Sequence, residues 1–117
     1  MKIAFATSDG VHLDQEFRRA SRLAVYEVGP AGAHLVRTLA FAPDGAVRTD
    51  ERLLAVEGAD VVFGVAFGPS SAARIAERGI RPATAQAGTP IAELLARLGR
   101  PGGGPVPLAP SSASAQL

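Results

Sequence analysis

Residues 8–18, Ser8-Asp9-Gly10-Val11-His12-Leu13-Asp14-Gln15-Glu16-Phe17-Arg18, crowd hydroxyl, carboxylate, imidazole and guanidinium groups into one short polar loop. The loop follows directly on Lys2-Ile3-Ala4-Phe5-Ala6-Thr7, which reads as a short buried strand. A strand that ends in a glycine-containing polar loop is where an open α/β sheet places its ligands. Asp9, Asp14 and Glu16 are hard oxygen donors of the kind that hold magnesium or calcium. Their spacing fits no calcium-binding loop, so they read as hydrated loop acids. Two-metal nuclease chemistry needs several carboxylates converging from different strands, and the run from Ile3 to Thr7 carries no acid. No Ser–His–Asp triad and no phosphate-binding loop is present.

Composition narrows the chemistry further. The chain has no cysteine, which excludes disulfides, thiolate catalysis, cysteine-rich zinc sites and cysteine-ligated iron–sulfur clusters together. A formal net charge of +1, with arginine far outnumbering lysine, gives no basic stripe of the kind nucleic acids require. The 117 residues amount to one domain, and 47% of them are hydrophobic, enough for a real core. With only 5% aromatic residues, Ala, Val, Leu and Ile must fill that core. The N-terminal apolar run is too short for a signal peptide, and nothing approaches the ~20 apolar residues of a membrane span. The expectation is a soluble cytoplasmic protein.

The segments that follow must position the loop. A helical turn is expected over Gln15–Ala20. Leu23-Ala24-Val25-Tyr26-Glu27-Val28 is rich in strand formers. Gly29-Pro30-Ala31-Gly32 is a turn, and residues 34–41 return as a third strand, with Leu35, Leu39 and Phe41 alternating onto one face. Pro43-Asp44-Gly45 breaks the chain. Residues 48–57 are weakly helical, with Leu53 and Leu54 the expected buried pair. Asp60-Val61-Val62-Phe63-Gly64 is a strand covered on both faces.

Gly68-Pro69-Ser70-Ser71 then opens a helix with proline at its first position. Ala72, Ile75 and Ala76 form its inner stripe, and Gly79 lies just past its end. Ile80–Ala85 is a short strand that Pro82 places at a sheet edge. Thr89 as N-cap and Pro90 at N1 start the last helix, where Ile91, Leu94, Leu95 and Leu98 form an amphipathic stripe. From Arg100 onward Pro, Gly, Ser and Ala dominate, with too little apolar area to offset the cost of ordering. The expected organisation is one domain over residues 1–99 and a disordered tail over 100–117.

An antiparallel first half joined to a parallel second half gives a single three-layer α/β domain. Its mixed five-stranded sheet has the expected order 3-2-1-4-5 with helices on both faces. The exit of strand one and the helix start at Gly68 then lie side by side, forming one groove.

Met1-Lys2-Ile3-Ala4-Phe5-Ala6-Thr7-Ser8-Asp9-Gly10, the Asp14-Gln15-Glu16-Phe17 stretch and Val25-Tyr26-Glu27-Val28 together resemble the NifX/NafY-type dinitrogenase iron–molybdenum cofactor biosynthesis family. Gly58-Ala59-Asp60-Val61-Val62, Gly68-Pro69-Ser70-Ser71-Ala72-Ala73-Arg74, Gly79-Ile80-Arg81-Pro82 and Gly88-Thr89-Pro90-Ile91-Ala92-Glu93-Leu94-Leu95 continue the same pattern. The resemblance implies a ribonuclease H-like fold without nuclease activity. It implies a non-enzymatic carrier whose cargo is the iron–molybdenum cofactor or its iron–sulfur precursor, with no nucleotide. Its implied partners are nitrogenase cofactor-assembly proteins and apo-dinitrogenase, not nucleic acid or membrane, and it would act as a monomer or weak dimer. The family's His-Phe-Gly motif corresponds here to Glu16-Phe17-Arg18.

A large anionic cluster held reversibly calls for one or two borderline ligands, N–H donors and arginines rather than a closed cage. The expected cargo-binding residues are Ser8, Asp9, Gly10, His12, Glu16, Phe17, Arg18, Gly68, Pro69, Ser70 and Ser71, with His12 the metal ligand. Arg18, Arg19 and Arg22 would neutralise the cluster. The helix start at Pro69-Ser70-Ser71 would offer free N–H groups. Phe17 either closes the loop as a core plug or touches the ligand. The alternative is a protein-interaction module of the same fold that binds no cluster.

Overall fold

The structure, a computed structural model, describes residues 1–41 and 49–98. The Pro43-Asp44-Gly45 break and the expected tail over 100–117 lie outside the described residues. The central strand β1 (Lys2–Thr7) pairs antiparallel with β3 (Arg22–Gly29) and parallel with β5 (Val61–Gly64). Beyond β3 lies β4 (Gly32–Ala40), and beyond β5 lies β6 (Arg81–Thr84), so the five-stranded sheet runs β4-β3-β1-β5-β6. Pro82 therefore sits on an edge strand, where its missing N–H leaves no ladder position empty. A second, two-residue ribbon pairs β2 (His12–Leu13) with β7 (Thr89–Pro90). Among the described residues no helix is long and apolar enough to cross a membrane.

Side-chain alternation along β1 sends its residues to two different cores. Ala4 and Ala6 join Leu23, Val25 and Val62 on the face covered by α1 (Thr49–Ala55) and α2 (Pro69–Glu77), through Leu53, Val56 and Ile75. Ile3 and Phe5 join Val61 and Phe63 on the face covered by α3 (Ile91–Leu98), through Ile91, Leu94 and Leu98. Phe5 stacks on Phe63 at 5.4 Å between ring centres and meets Tyr26 edge-on at 5.8 Å. The aromatics are divided between the cores, Phe5, Tyr26 and Phe63 in this one and Phe17, Phe41 and Phe67 in or against the other, each burying a large area per residue.

Several local expectations are corrected. Leu54 is 68% exposed while Leu53 is buried, because the inner face runs through positions 52, 53 and 56 and the step of about 100° per residue carries position 54 to solvent. The position beside Leu53 on the inner face belongs to Arg52, only 4% exposed. Its Nε and Nη2 donate to the Ala20 carbonyl at 3.0 and 2.6 Å, and its guanidinium lies 4.3 Å from the Phe41 ring centre. A buried cation is tolerated where it is hydrogen-bonded and stacked in this way.

On β4, Leu39 and Phe41 pack against the first core but Leu35 is exposed. A register shift between Val25 and Tyr26 takes the pairing from Arg37 to Leu35 and skips Val36. One extra residue reverses the parity of every side chain beyond it. On α2 the buried pair is Ser71 and Ile75, one turn apart, and Ala76 is exposed. Thr89 does not cap α3: it lies in β7 and its hydroxyl donates to the Gln86 carbonyl at 2.6 Å.

Candidate functional site

The loop after β1 is organised by Thr7 and Asp9. Thr7 is fully buried on the α3 side, the face it shares with Ile3 and Phe5. Its hydroxyl donates to Asp9 Oδ1 at 3.3 Å and accepts the Gly10 N–H at 2.9 Å. Asp9 Oδ1 also accepts the backbone N–H groups of Val11 (2.8 Å) and His12 (2.9 Å). Aspartate favours such turns because its short side chain reaches its own backbone two residues on. The turn drives Gly10 to φ +80°, a conformation glycine adopts without steric cost. Asp14 closes the loop from the other side, accepting both the backbone N–H and the hydroxyl of Ser8.

His12 is held at both its backbone and its ring. Its strand pairs with Thr89–Pro90, flanked by Ile91 N–H to Val11 O and Gly88 N–H to Leu13 O, both 2.8 Å. Leu13 is buried in the α3-side core, which turns His12 outward at 44% side-chain exposure. Its Nδ1 lies 2.8 Å from Asp9 Oδ2. Among the described residues Nε2 has no hydrogen-bonding partner.

The His12 ring, followed by the His12 and Val11 N–H groups, holds the Asp9 carboxyl well below its ordinary range. A depressed carboxyl stabilises the folded loop at every pH above its unfolded value, and that contribution disappears only as pH falls through the folded value. The Asp9 carboxyl carbon should therefore show no NMR titration near pH ~4, where ordinary carboxylates titrate. A midpoint in the ordinary range would remove the electrostatic pairing with His12.

The remaining expected site residues go elsewhere. After Asp14 the chain crosses the ends of β1 and β5, where Gln15 O accepts Val65 N–H (3.0 Å) and Phe17 N–H donates to Ala66 O (3.3 Å). Gly64 permits this close approach: a Cβ there would meet the Phe67 ring at 3.3 Å and Phe17 N at 3.4 Å. Phe17 is fully buried in the core on the α1–α2 side and stacks on Phe67 at 5.9 Å. It is the core plug, and its side chain offers no surface to a ligand. Glu16 is half-buried and ion-paired to Arg18 and Arg19, each at 3.9 Å. Gly68 caps α2 with no side-chain hydrogen bond, Pro69 and Ser70 are exposed, and Ser71 is buried.

The single groove expected from sequence is thus divided. Ser8, Asp9, Gly10 and His12 cluster on the α3 side. Glu16, Phe17 and Arg18 sit with the Ala66–Phe67 segment on the α1–α2 side, the face on which α2 starts at Gly68–Ser71. The chain crosses from one face to the other between Leu13 and Phe17, because each of these residues is drawn into a different core.

Of the three candidate arginines, only Arg22 belongs to the His12 cluster. Its register opposite Thr7 puts it on the same face, and its Nη1 is 3.8 Å from where a Cβ on Gly10 would stand. Its guanidinium has no hydrogen-bonding or ionic partner among the described residues. Thr89 and Pro90 complete the site by fixing the His12 backbone; two residues carry no periodicity from which that pairing could be read. Among the described residues, no group of three or more His, Asp or Glu side chains is assembled to cage a metal ion.

The dinitrogenase iron-molybdenum cofactor family matches residues 1–100. The chain is 34% identical over 98 residues to protein NifX of Klebsiella pneumoniae, covering 81% of this chain and 63% of that protein. It is 34% identical over 104 residues to protein NifX of Rhodobacter capsulatus, covering 81% and 65%. The chain thus spans less than two thirds of the length of these curated relatives. In fold it is similar to the crystal structure of PH0822, with a TM-score of 0.68 at 18% identity over 89% of this chain and 93% of that one. It is also similar to a candidate dinitrogenase of Methanocaldococcus jannaschii, with a TM-score of 0.60 at 9% identity over 83% and 86%.

Proposed function

The chain belongs to the dinitrogenase iron-molybdenum cofactor family, and from that premise we propose that it is a non-enzymatic carrier in nitrogenase cofactor assembly. Its cargo is the iron–molybdenum cofactor or the iron–sulfur precursor of that cofactor. It exchanges this cargo with cofactor-assembly proteins and apo-dinitrogenase in the cytoplasm, as a monomer or weak dimer. The domain is residues 1–99 and the sheet is of the ribonuclease H-like type.

The observation that carries this reading is the exposed His12 imidazole, whose Nδ1 is engaged by Asp9 and whose Nε2 has no hydrogen-bonding partner among the described residues. A neutral imidazole nitrogen is a good ligand for iron. One such donor, without a surrounding cage, suits cargo that must be released again, whereas closed multidentate sites hold metal as part of the fold. Arg22 supplies a positive charge on the same face, matched to an anionic cluster. Ser8, Asp9 and Gly10 shape the turn that presents His12. Arg18, already paired with Glu16 on the opposite face, falls outside this contact set, as does the α2 start at Gly68–Ser71.

The test is anaerobic titration with isolated iron–molybdenum cofactor, followed by visible absorbance that co-elutes with the protein. About one cofactor per chain is expected for a single-donor site; protein that stays colourless overturns the reading. Arg22→Gln should weaken loading roughly tenfold, the scale of one charge-assisted hydrogen bond, and should flatten its dependence on salt. Arg18→Gln should leave both unchanged. Glu16, standing where the family has histidine, favours a second reading, an interaction module without cargo. Capture of cofactor-assembly proteins in a metal-free complex would support that one.

A further inference from the structure

We propose that Asp9 is a positioning residue that fixes the tautomer of His12, keeping Nδ1 protonated and the Nε2 lone pair directed outward. This deepens, and rests on, the reading of His12 as the cargo's ligand. The two oxygens of Asp9 have separate tasks. Oδ1 takes the Thr7 hydroxyl and the N–H groups of Val11 and His12, at 3.3, 2.8 and 2.9 Å. Oδ2 faces the His12 ring at 2.8 Å. An ionised carboxylate only accepts hydrogen bonds, so the nitrogen facing it must carry the proton.

In the neutral ring the lone pair then falls on Nε2, the atom that no described residue hydrogen-bonds. The geometry is anchored to the sheet: Thr7, at the end of β1, is fully buried and bonded to both Asp9 and Gly10. Carboxylate, imidazole and metal in line is the arrangement by which outer groups orient a metal-ligating histidine and raise its basicity. Here the first two members are already in place.

Asp9→Asn separates the two tasks. Its carbonyl oxygen can keep the Oδ1 bonds, so the turn survives. Its NH2 group replaces Oδ2 and needs an acceptor, which moves the ring proton to Nε2 and blocks the ligating position. The tautomer is read without cargo, by long-range 1H–15N correlation of the His12 ring at about pH 8, above the ordinary imidazole range. The wild-type protein should show the Nδ1–H pattern and Asp9→Asn predominantly the Nε2–H pattern, with the Val11 and His12 amide signals retained in both. In the titration with isolated iron–molybdenum cofactor, Asp9→Asn should then load about tenfold or more weakly.

A wild-type ring protonated on Nε2 overturns the proposal without any variant. An Asp9→Asn ring that keeps the Nδ1–H pattern overturns it as well. Failure of the underlying reading looks different: the tautomers would behave as stated, but wild-type protein would take up no cofactor.

Discussion

Replacing His12 with alanine is expected to lower the affinity for isolated iron–molybdenum cofactor by more than about a hundredfold. Losing only an outer partner of a metal ligand typically costs ten- to a hundredfold, and removal of the proposed nitrogen ligand itself should exceed that. Arg22 and the backbone of the Ser8–Gly10 turn would remain, but they offer charge and N–H groups rather than a bond to metal. The fold should be untouched, because the ring is exposed and the backbone pairing of His12 with Pro90 does not involve the side chain. His34, the other histidine of the chain, lies on β4 opposite Glu27, and His34→Ala is the matched control. The measurement is anaerobic equilibrium titration with visible absorbance. Equal loading by His12→Ala and the parent chain would exclude the imidazole as ligand.

Phe17→Ala is expected to cost about 3–5 kcal/mol of folding stability, the usual range for truncating a fully buried phenylalanine. Phe17 is fully enclosed, packs in the core with Leu53 and Ile75, and stacks on Phe67. Urea unfolding gives the value, with the slope unchanged if the transition stays two-state. A ligand-contacting phenylalanine would give the opposite pattern, with unchanged stability and weakened loading of the folded protein. The two variants therefore separate residues that lie close together in sequence: His12→Ala should lose loading and keep stability, Phe17→Ala should lose stability.

Much of the architecture is written in apolar runs. Ile3–Ala6 and Val61–Phe63 read as buried strands because nothing polar interrupts them. Leu94 and Leu98 mark α3 because they recur at helical spacing. Features that depend on partners distant in sequence are not legible in this way. The register shift at Val25/Tyr26 leaves no compositional trace, yet it turns Leu35 to solvent. Arg52 looks like any surface arginine until Ala20 O and Phe41 are brought beside it.

The same limit applies to the site. The residue types between Ser8 and His12 mark a candidate ligand loop, and the spacing of Asp9 and His12 permits the contact they make. Which of the three neighbouring arginines shares their face depends on where β3 begins. Glu16, Phe17 and Arg18 adjoin His12 in sequence but not in space, because Leu13 and Phe17 enter cores on opposite sides of the sheet.

The little ribbon between His12–Leu13 and Thr89–Pro90 also dictates how this protein can drift in evolution. Adding or deleting one residue between Gly10 and His12 would swap the directions of His12 and Leu13, burying an imidazole and baring a leucine in a single step. Changes in length should therefore be purged from the segment after β1 while the β3–β4 tip accumulates them freely. Alignments of descendants of this lineage should show a ruler-like constancy there, even where the side chains themselves have diverged.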